Sequence, residues 1–252
     1  MRIRTWSCHG NLCPVKRKKV RFIEFLSYLE VTQNEIAIKT QLTYVLLLLS
    51  LFLAVLALTT SNFLFKSGTA GIGILIILIL QYQKKGSKAD WWIAGAYFFS
   101  ILGDWFLTNM QGDSMMFVKG IALFFLAHVG YLSFALINGK MNWRFTSLLL
   151  ASFLTFFFLA LQPAIDDQML MIAALIYLLV SCFSMGAAIG STNIPIVKWS
   201  YFFGILLILL SDTIISFKEF VGYHAFDFLI LPTYYLAHIS ITFSLINKAV
   251  RD

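Results

Sequence analysis

Long apolar runs, each parted from the next by a few polar residues, dominate the chain from about residue 41 onward. Eight can be delimited, at 42–59, 68–83, 91–109, 117–138, 144–162, 168–190, 198–217 and 227–247. Each is roughly 16–23 residues, the length an α-helix needs to cross the hydrocarbon core of a bilayer. None alternates polar and apolar positions, as the strands of a membrane barrel would over about ten residues. The connectors are short: KKGSKAD at 84–90, NGKMNWR at 138–144, QPAIDDQ at 162–168 and STNIPIVK at 191–198. The pattern predicts an all-α polytopic membrane protein with eight transmembrane helices. Residues 1–40 hold no such run and show no cleavable signal peptide. They read as a basic cytoplasmic segment ahead of a transmembrane domain over 41–252, with an amphipathic stretch at 22–30 suited to the membrane surface.

Composition agrees with that pattern. The chain is 60% hydrophobic and 12% charged, where a soluble domain carries roughly a quarter charged residues. The net charge of +7 could suggest nucleic acid, but much of it lies in Arg2, Arg4, Lys16, Arg17, Lys18, Lys19 and Arg21, ahead of the first span. That placement reads as a cytoplasmic flank on anionic lipid, so no nucleic-acid partner is expected. An inside N-terminus also puts Lys84, Lys85, Lys88, Lys140, Arg144, Lys198, Lys248 and Arg251 in the cytoplasm. The other side receives Lys66, Lys119 and Lys218 with Asp113, Asp166, Asp167 and Glu219. Both termini are therefore expected inside, and a bacterial inner membrane is the expected location. Cys8, His9 and Cys13 lack the second ligand pair of a structural zinc site, and Cys182 reads as a small apolar filler.

Two acids break the apolar pattern: Asp104 in FFSILGDWFL and Asp212 in LLILLSDTIIS. An intramembrane carboxylate is expensive to keep, and where it is kept it usually faces a bundle interior or wet cavity and serves function. In each half the helix after the acid carries an Ala-His pair, Ala127-His128 and Ala237-His238. Helices four apart in a row share an orientation, so the halves are expected to form two parallel four-helix repeats about an axis along the membrane normal. Asp104 lies about 20 Å along its span at 1.5 Å per residue, and Asp212 lies about as far along its own. Two carboxyls at one depth in a low-dielectric pocket resist double ionisation, so one can stay protonated beside an ionised partner.

Other polar groups in the spans admit two readings each. His238 is either a site residue or a hydrogen-bond bridge between helices. Tyr131, Tyr177, Tyr234 and Tyr235 are packing residues with a hydroxyl tether or groups of the site. Lys66 snorkels to the interface or binds phosphate. Asp113, Asp166 and Asp167 read as solvated loop charges. Gly68, Gly71 and Gly73 read as close helix packing. No HExxH pair, GxSxG elbow or P-loop occurs, which leaves zinc hydrolysis, serine hydrolysis and nucleotide chemistry without their parts.

The stretches SILGDWFL (100–107), FVKGIALFFLAHVGYLSF (117–134), LLSDTIISF (210–217) and PTYYLAHISI (232–241), with the spacing from Tyr177 to Met185, resemble the YhhN family. These are eight-helix membrane proteins whose animal members are lysoplasmalogenases. The resemblance covers most of residues 60–247. It implies hydrolysis of the vinyl ether bond of a lysoplasmalogen, or a related lysophospholipid, to a fatty aldehyde and glycerophosphoethanolamine or glycerophosphocholine. It also implies Asp104 and Asp212 as the catalytic pair, and Lys66, His128 and Tyr177 at the substrate. Tyr131, Tyr235 and His238 join the candidate substrate-binding set. No metal or organic cofactor is required, and membrane lipids are the surrounding partners. Ser67 and His238 stand where the family pattern has Pro and Gln. The alternative function is a proton- or cation-coupled transporter, since parallel repeats and midplane acids also serve transport; a weaker one is a catalytically silent lipid-binding protein.

Overall fold

Helices form in every one of the eight apolar runs. The computed structural model describes residues 41–60 and 63–251. Thr43–Asp252 make up one compact unit. Of the preceding unit, Met1–Leu42, only the last two residues are described, so the basic segment, the amphipathic stretch at 22–30 and the Cys8/Cys13 pair lie outside the described residues. The helices are α1 (Gln41–Thr59), the short α2 (Phe63–Lys66), α3 (Gly68–Tyr82), α4 (Asp90–Thr108), α5 (Ser114–Ile137), α6 (Trp143–Phe156), α7 (Gln168–Ile189), α8 (Pro195–Ser216) and α9 (Asp227–Arg251). No strand occurs among the described residues. Counting the turns that extend α6 to Ala164 and α8 to Val221, six helices among the described residues (α1 and α5–α9) are long and apolar enough to cross a membrane. The chain is an all-α integral membrane protein. α3 is shorter, at 15 residues, and α4 carries both Asp90 and Asp104 in its 19.

Several helix starts are written into the connectors. Asp113 accepts from the Met115 amide at 2.8 Å, and Asp167 from the Met169 amide at 2.8 Å. Each satisfies a donor that the first turn leaves open. Both acids are exposed, as loop charges were expected to be, and both also serve as caps.

α4 lies along α5, and α8 along α9, as the two most extensive packings; α5 also packs on α7, and α9 on α3. Small residues let these backbones approach. A Cβ added to Gly130 on α5 would come within 2.6 Å of the Trp92 carbonyl oxygen on α4. In the other pair, the Ser240 hydroxyl on α9 donates to the Ser200 carbonyl on α8 at 2.8 Å. Glycine serves this pair too: a Cβ added to Gly204 on α8 would come within 3.0 Å of the Ala237 carbonyl oxygen on α9. Of the three glycines at the head of α3, Gly73 meets the Tyr97 ring and Gly68 meets Leu53, while Gly71 has open space. Cys182 is fully buried, as a filler should be.

Asp90 departs from its reading as part of a polar connector. It opens α4 and is 3% exposed. It accepts from the Ser87 amide and hydroxyl, both at 2.7 Å, and pairs with Lys248 of α9 at 3.5 Å. The Lys248 ammonium also donates to the Ser87 hydroxyl at 3.0 Å. Removing one partner of a buried pair strands the other charge, at a cost of about 3–5 kcal/mol. Asp90→Ala is therefore expected to lower the thermal midpoint in detergent, with Asp90→Ala/Lys248→Met recovering much of the loss. Equal stability of the single variant and wild type would contradict the pairing.

Candidate active site

The two acids face one space. Asp104 projects from the second turn from the end of α4, and Asp212 from the last turns of α8. Both line a cavity of about 300 Å³ that also receives Lys66, Lys218, Glu219, Asp227, Tyr234 and Tyr235. Ser211, buried beside Asp212, donates to the Ile230 carbonyl at 3.1 Å and so holds α8 against α9 at this level. Lys218 and Glu219 stand in the π turn Phe217–Val221 that prolongs α8 and pair with each other at 3.0 Å. The cavity thus has carboxyls at its base and mixed charge at its rim.

The partners of the two acids differ. Asp212 Oδ2 accepts from the Tyr177 hydroxyl at 2.7 Å and faces His128 Nε2 at 3.4 Å. Asp104 Oδ2 accepts from the Tyr234 hydroxyl at 3.2 Å. His128 is itself fixed by packing: its ring meets Tyr177 and Tyr131 edge-on, with centroids 5.1 and 5.8 Å apart, and its carbonyl accepts from Ser184 at 3.0 Å.

A second, apolar slot of about 70 Å³ adjoins the cavity, lined by Phe153, Phe156, Ala174, Leu178 and Leu209 among others. Leu107, Phe117, Phe124, Asp212 and Ile215 line both spaces. Asp212 is the sole ionisable residue common to the two. The slot is walled at one end by two widened turns, Phe157–Leu161 after α6 and Phe217–Val221 after α8, where the Phe156 and Phe217 rings meet at 4.9 Å. Such π turns often occur at functional sites.

Of the residues expected at the site, Lys66, Asp104, Asp212 and Tyr235 line the cavity. Tyr177 lines the slot and, with His128, contacts Asp212. Tyr131 lies against His128, 1% exposed, and its hydroxyl has no hydrogen-bond partner among the described residues. His238 lies apart from both acids. Its Nδ1 contacts the Thr69 hydroxyl at 3.3 Å, and its ring is wedged between Tyr97 and Tyr234, at 4.9 and 4.4 Å. It is a bridge from α9 to α3. Lys218, Glu219 and Asp227 were not among the expected site residues, and Tyr234 stood open between packing and site; a Lys-Glu pair two turns beyond an intramembrane acid is the signal that marks the rim.

Among the described residues no cluster of His, Cys, Asp and Glu could hold a metal ion. What the arrangement offers is proton chemistry: two carboxyls in one cavity, each with a phenol, one also with an imidazole. The space around them suits an amphiphile, with a charged chamber joined to an apolar slot at an acid. Comparison with curated proteins finds no match, nor does comparison with solved structures. The sequence profile of the YhhN family matches residues 61–245, from just before α2 to within the last turns of α9. That span contains every residue of the cavity and slot, and the chain belongs to the YhhN family.

Proposed function

We propose that the protein is a membrane-embedded hydrolase that cleaves the vinyl ether bond of lysoplasmalogens. The observation that carries this reading is the meeting of the charged cavity and the apolar slot at Asp212, with Asp104 on the same cavity. A lysoplasmalogen has the matching parts: a charged head group, an aliphatic chain, and an acid-labile bond at their junction. A vinyl ether hydrolyses by protonation at carbon to an oxocarbenium ion, which water captures as a hemiacetal that then collapses. One carboxyl group supplies the proton. The other, as carboxylate, stabilises the cation and takes a proton from water, much as paired carboxylates serve oxocarbenium chemistry in glycosidases. Family membership supports a lysoplasmalogenase-type activity.

Eight membrane crossings in two parallel four-helix repeats form the frame of this proposal. Aligning Asp104 with Asp212 pairs Trp92 with Ser200, and aligning His128 with His238 pairs Gly130 with Ser240. The close approach of Gly130 to Trp92 and the hydrogen bond of Ser240 to Ser200 are then one contact made twice. The connectors favour one topology: Lys248 meets Ser87 and Asp90, and the Lys140 amide donates to the Gly190 carbonyl. These contacts gather the basic connectors in two clusters, at helix ends that alternation puts on one side, the cytoplasmic one by their charge.

The test is product analysis by mass spectrometry, after incubation of purified protein with a lysoplasmalogen and with its saturated ether analogue. Aldehyde released from the vinyl ether alone, in the presence of a chelator, is the expected result. Ligand flux in sealed proteoliposomes without any product would favour a transporter instead. Lys66, on the cavity wall, is assigned to the phosphate. Lys66→Ala is expected to raise KM about tenfold with kcat little changed, the loss of one charge-assisted hydrogen bond of roughly 1.5 kcal/mol. A KM unchanged in steady-state assays would remove Lys66 from that role.

A further inference from the structure

The two carboxyl groups are chemically identical, yet their surroundings divide the work. We infer that Asp104 carries the proton and Asp212 the negative charge in the resting site, so that Asp104 is the acid toward carbon and Asp212 the base toward water. This assignment rests on the hydrolase reading above for its catalytic part, but not for the location of the proton.

Hydrogen bonds donated to a carboxylate favour its ionised form. Asp212 receives the Tyr177 hydroxyl at 2.7 Å, within the range of an O–H···O⁻ bond. It also faces His128 Nε2 at 3.4 Å. The other ring nitrogen of His128, Nδ1, is buried without a partner among the described residues. An Nε2–H tautomer leaves a bare acceptor there rather than a stranded N–H, and so aims the proton at Asp212. Asp104 has the single Tyr234 hydroxyl at 3.2 Å, 0.5 Å longer than the bond that Tyr177 makes to Asp212 at 2.7 Å. Lys66 lines the cavity that both acids share. The groups facing Asp212 are thus His128 and Tyr131 on α5, Tyr177 on α7 and, across the cavity, Asp104 and Lys66. Those facing Asp104 are Tyr234 and Tyr235 on α9 and Tyr131 on α5, with Lys66 and Asp212. Lys218, Glu219 and Asp227 stand at the rim.

The protons close a cycle. Asp104 gives its proton to the β-carbon of the vinyl ether, whose π electrons form the new C–H bond and leave an oxocarbenium ion. Water adds to that cation as Asp212 takes one of its protons. In the collapse of the hemiacetal, Asp104 takes the hydroxyl proton as the C=O bond forms. The C–O bond to glycerol breaks, and Asp212 protonates the departing oxygen. Both acids end as they began, and one water has been consumed. His128 and Tyr177 act through Asp212 and are positioning residues.

Infrared spectra of the purified full-length protein in detergent at neutral pH test the assignment. The C=O stretch of a protonated carboxyl is expected to be lost in Asp104→Asn and kept in Asp212→Asn; any other pattern overturns it. In the same spectra, the carboxylate stretch that Asp212→Asn removes should shift in Tyr177→Phe and stay in place in Tyr234→Phe. The reverse, or no movement in either, also overturns it. Absence of aldehyde release by wild type alongside the expected infrared pattern would remove the hydrolase reading and leave the proton on Asp104. Turnover alongside another pattern would do the opposite.

Discussion

Asp104→Asn and Asp212→Asn are each expected to abolish aldehyde release, by at least about 10³-fold, the scale of a lost acid or base. The substitutions are isosteric, and an amide oxygen can still accept from Tyr234 or Tyr177, so both variants should purify as folded protein with wild-type helix content by circular dichroism. The two effects should not multiply. Each carboxyl acts on an intermediate that the other has helped to form, and the double variant should be about as inactive as either single one. Measurable turnover in both single variants, on lipid in detergent, would detach the chemistry from this cavity.

A second large effect is expected in the apolar slot. Ala174 lines it and is 8% exposed, so Ala174→Trp places an indole where aliphatic carbon would lie. If the chain is displaced by two methylenes, about 1.6 kcal/mol of transfer free energy is forfeited, roughly a fifteenfold fall in kcat/KM. The fall should be confined to long-chain substrates, while a short-chain lysoplasmalogen, which never reaches the indole, should be cleaved at nearly the wild-type rate. Equal loss for both chain lengths would mean that the slot does not hold the chain.

The acids and the helices were legible in the sequence for one reason: in a lipid-facing chain every departure from apolar residues is conspicuous. Asp104 and Asp212 stand out by charge, and the eight runs by length. Partnerships across helices were not legible, because they depend on helix rotation. His128 and His238 sit in identical Ala-His pairs, yet one faces Asp212 and the other Thr69. The residue opposite each comes from a different helix, α8 in one case and α3 in the other. Tyr234 and Tyr235 are adjacent, about 100° apart around α9; the first hydroxyl reaches Asp104 and the second only lines the cavity. Asp90 reads as a connector charge because Lys248, its counter-ion, lies near the other end of the chain. The rim is easily missed in the sequence because the apolar run ends at residue 217, whereas the helix winds on through a wider turn that carries Lys218 and Glu219 to the cavity.

The junction of slot and cavity at a single carboxylate also bears on product release. With a lysolipid bound across it, scission would leave one fragment among phenylalanines and the other among lysines and acids. The two fragments differ in solubility, one suited to oil and one to water. Sorting would then be built into the site: neither fragment need pass the place vacated by the other, and the next lipid could enter while the hydrophilic remnant diffuses away.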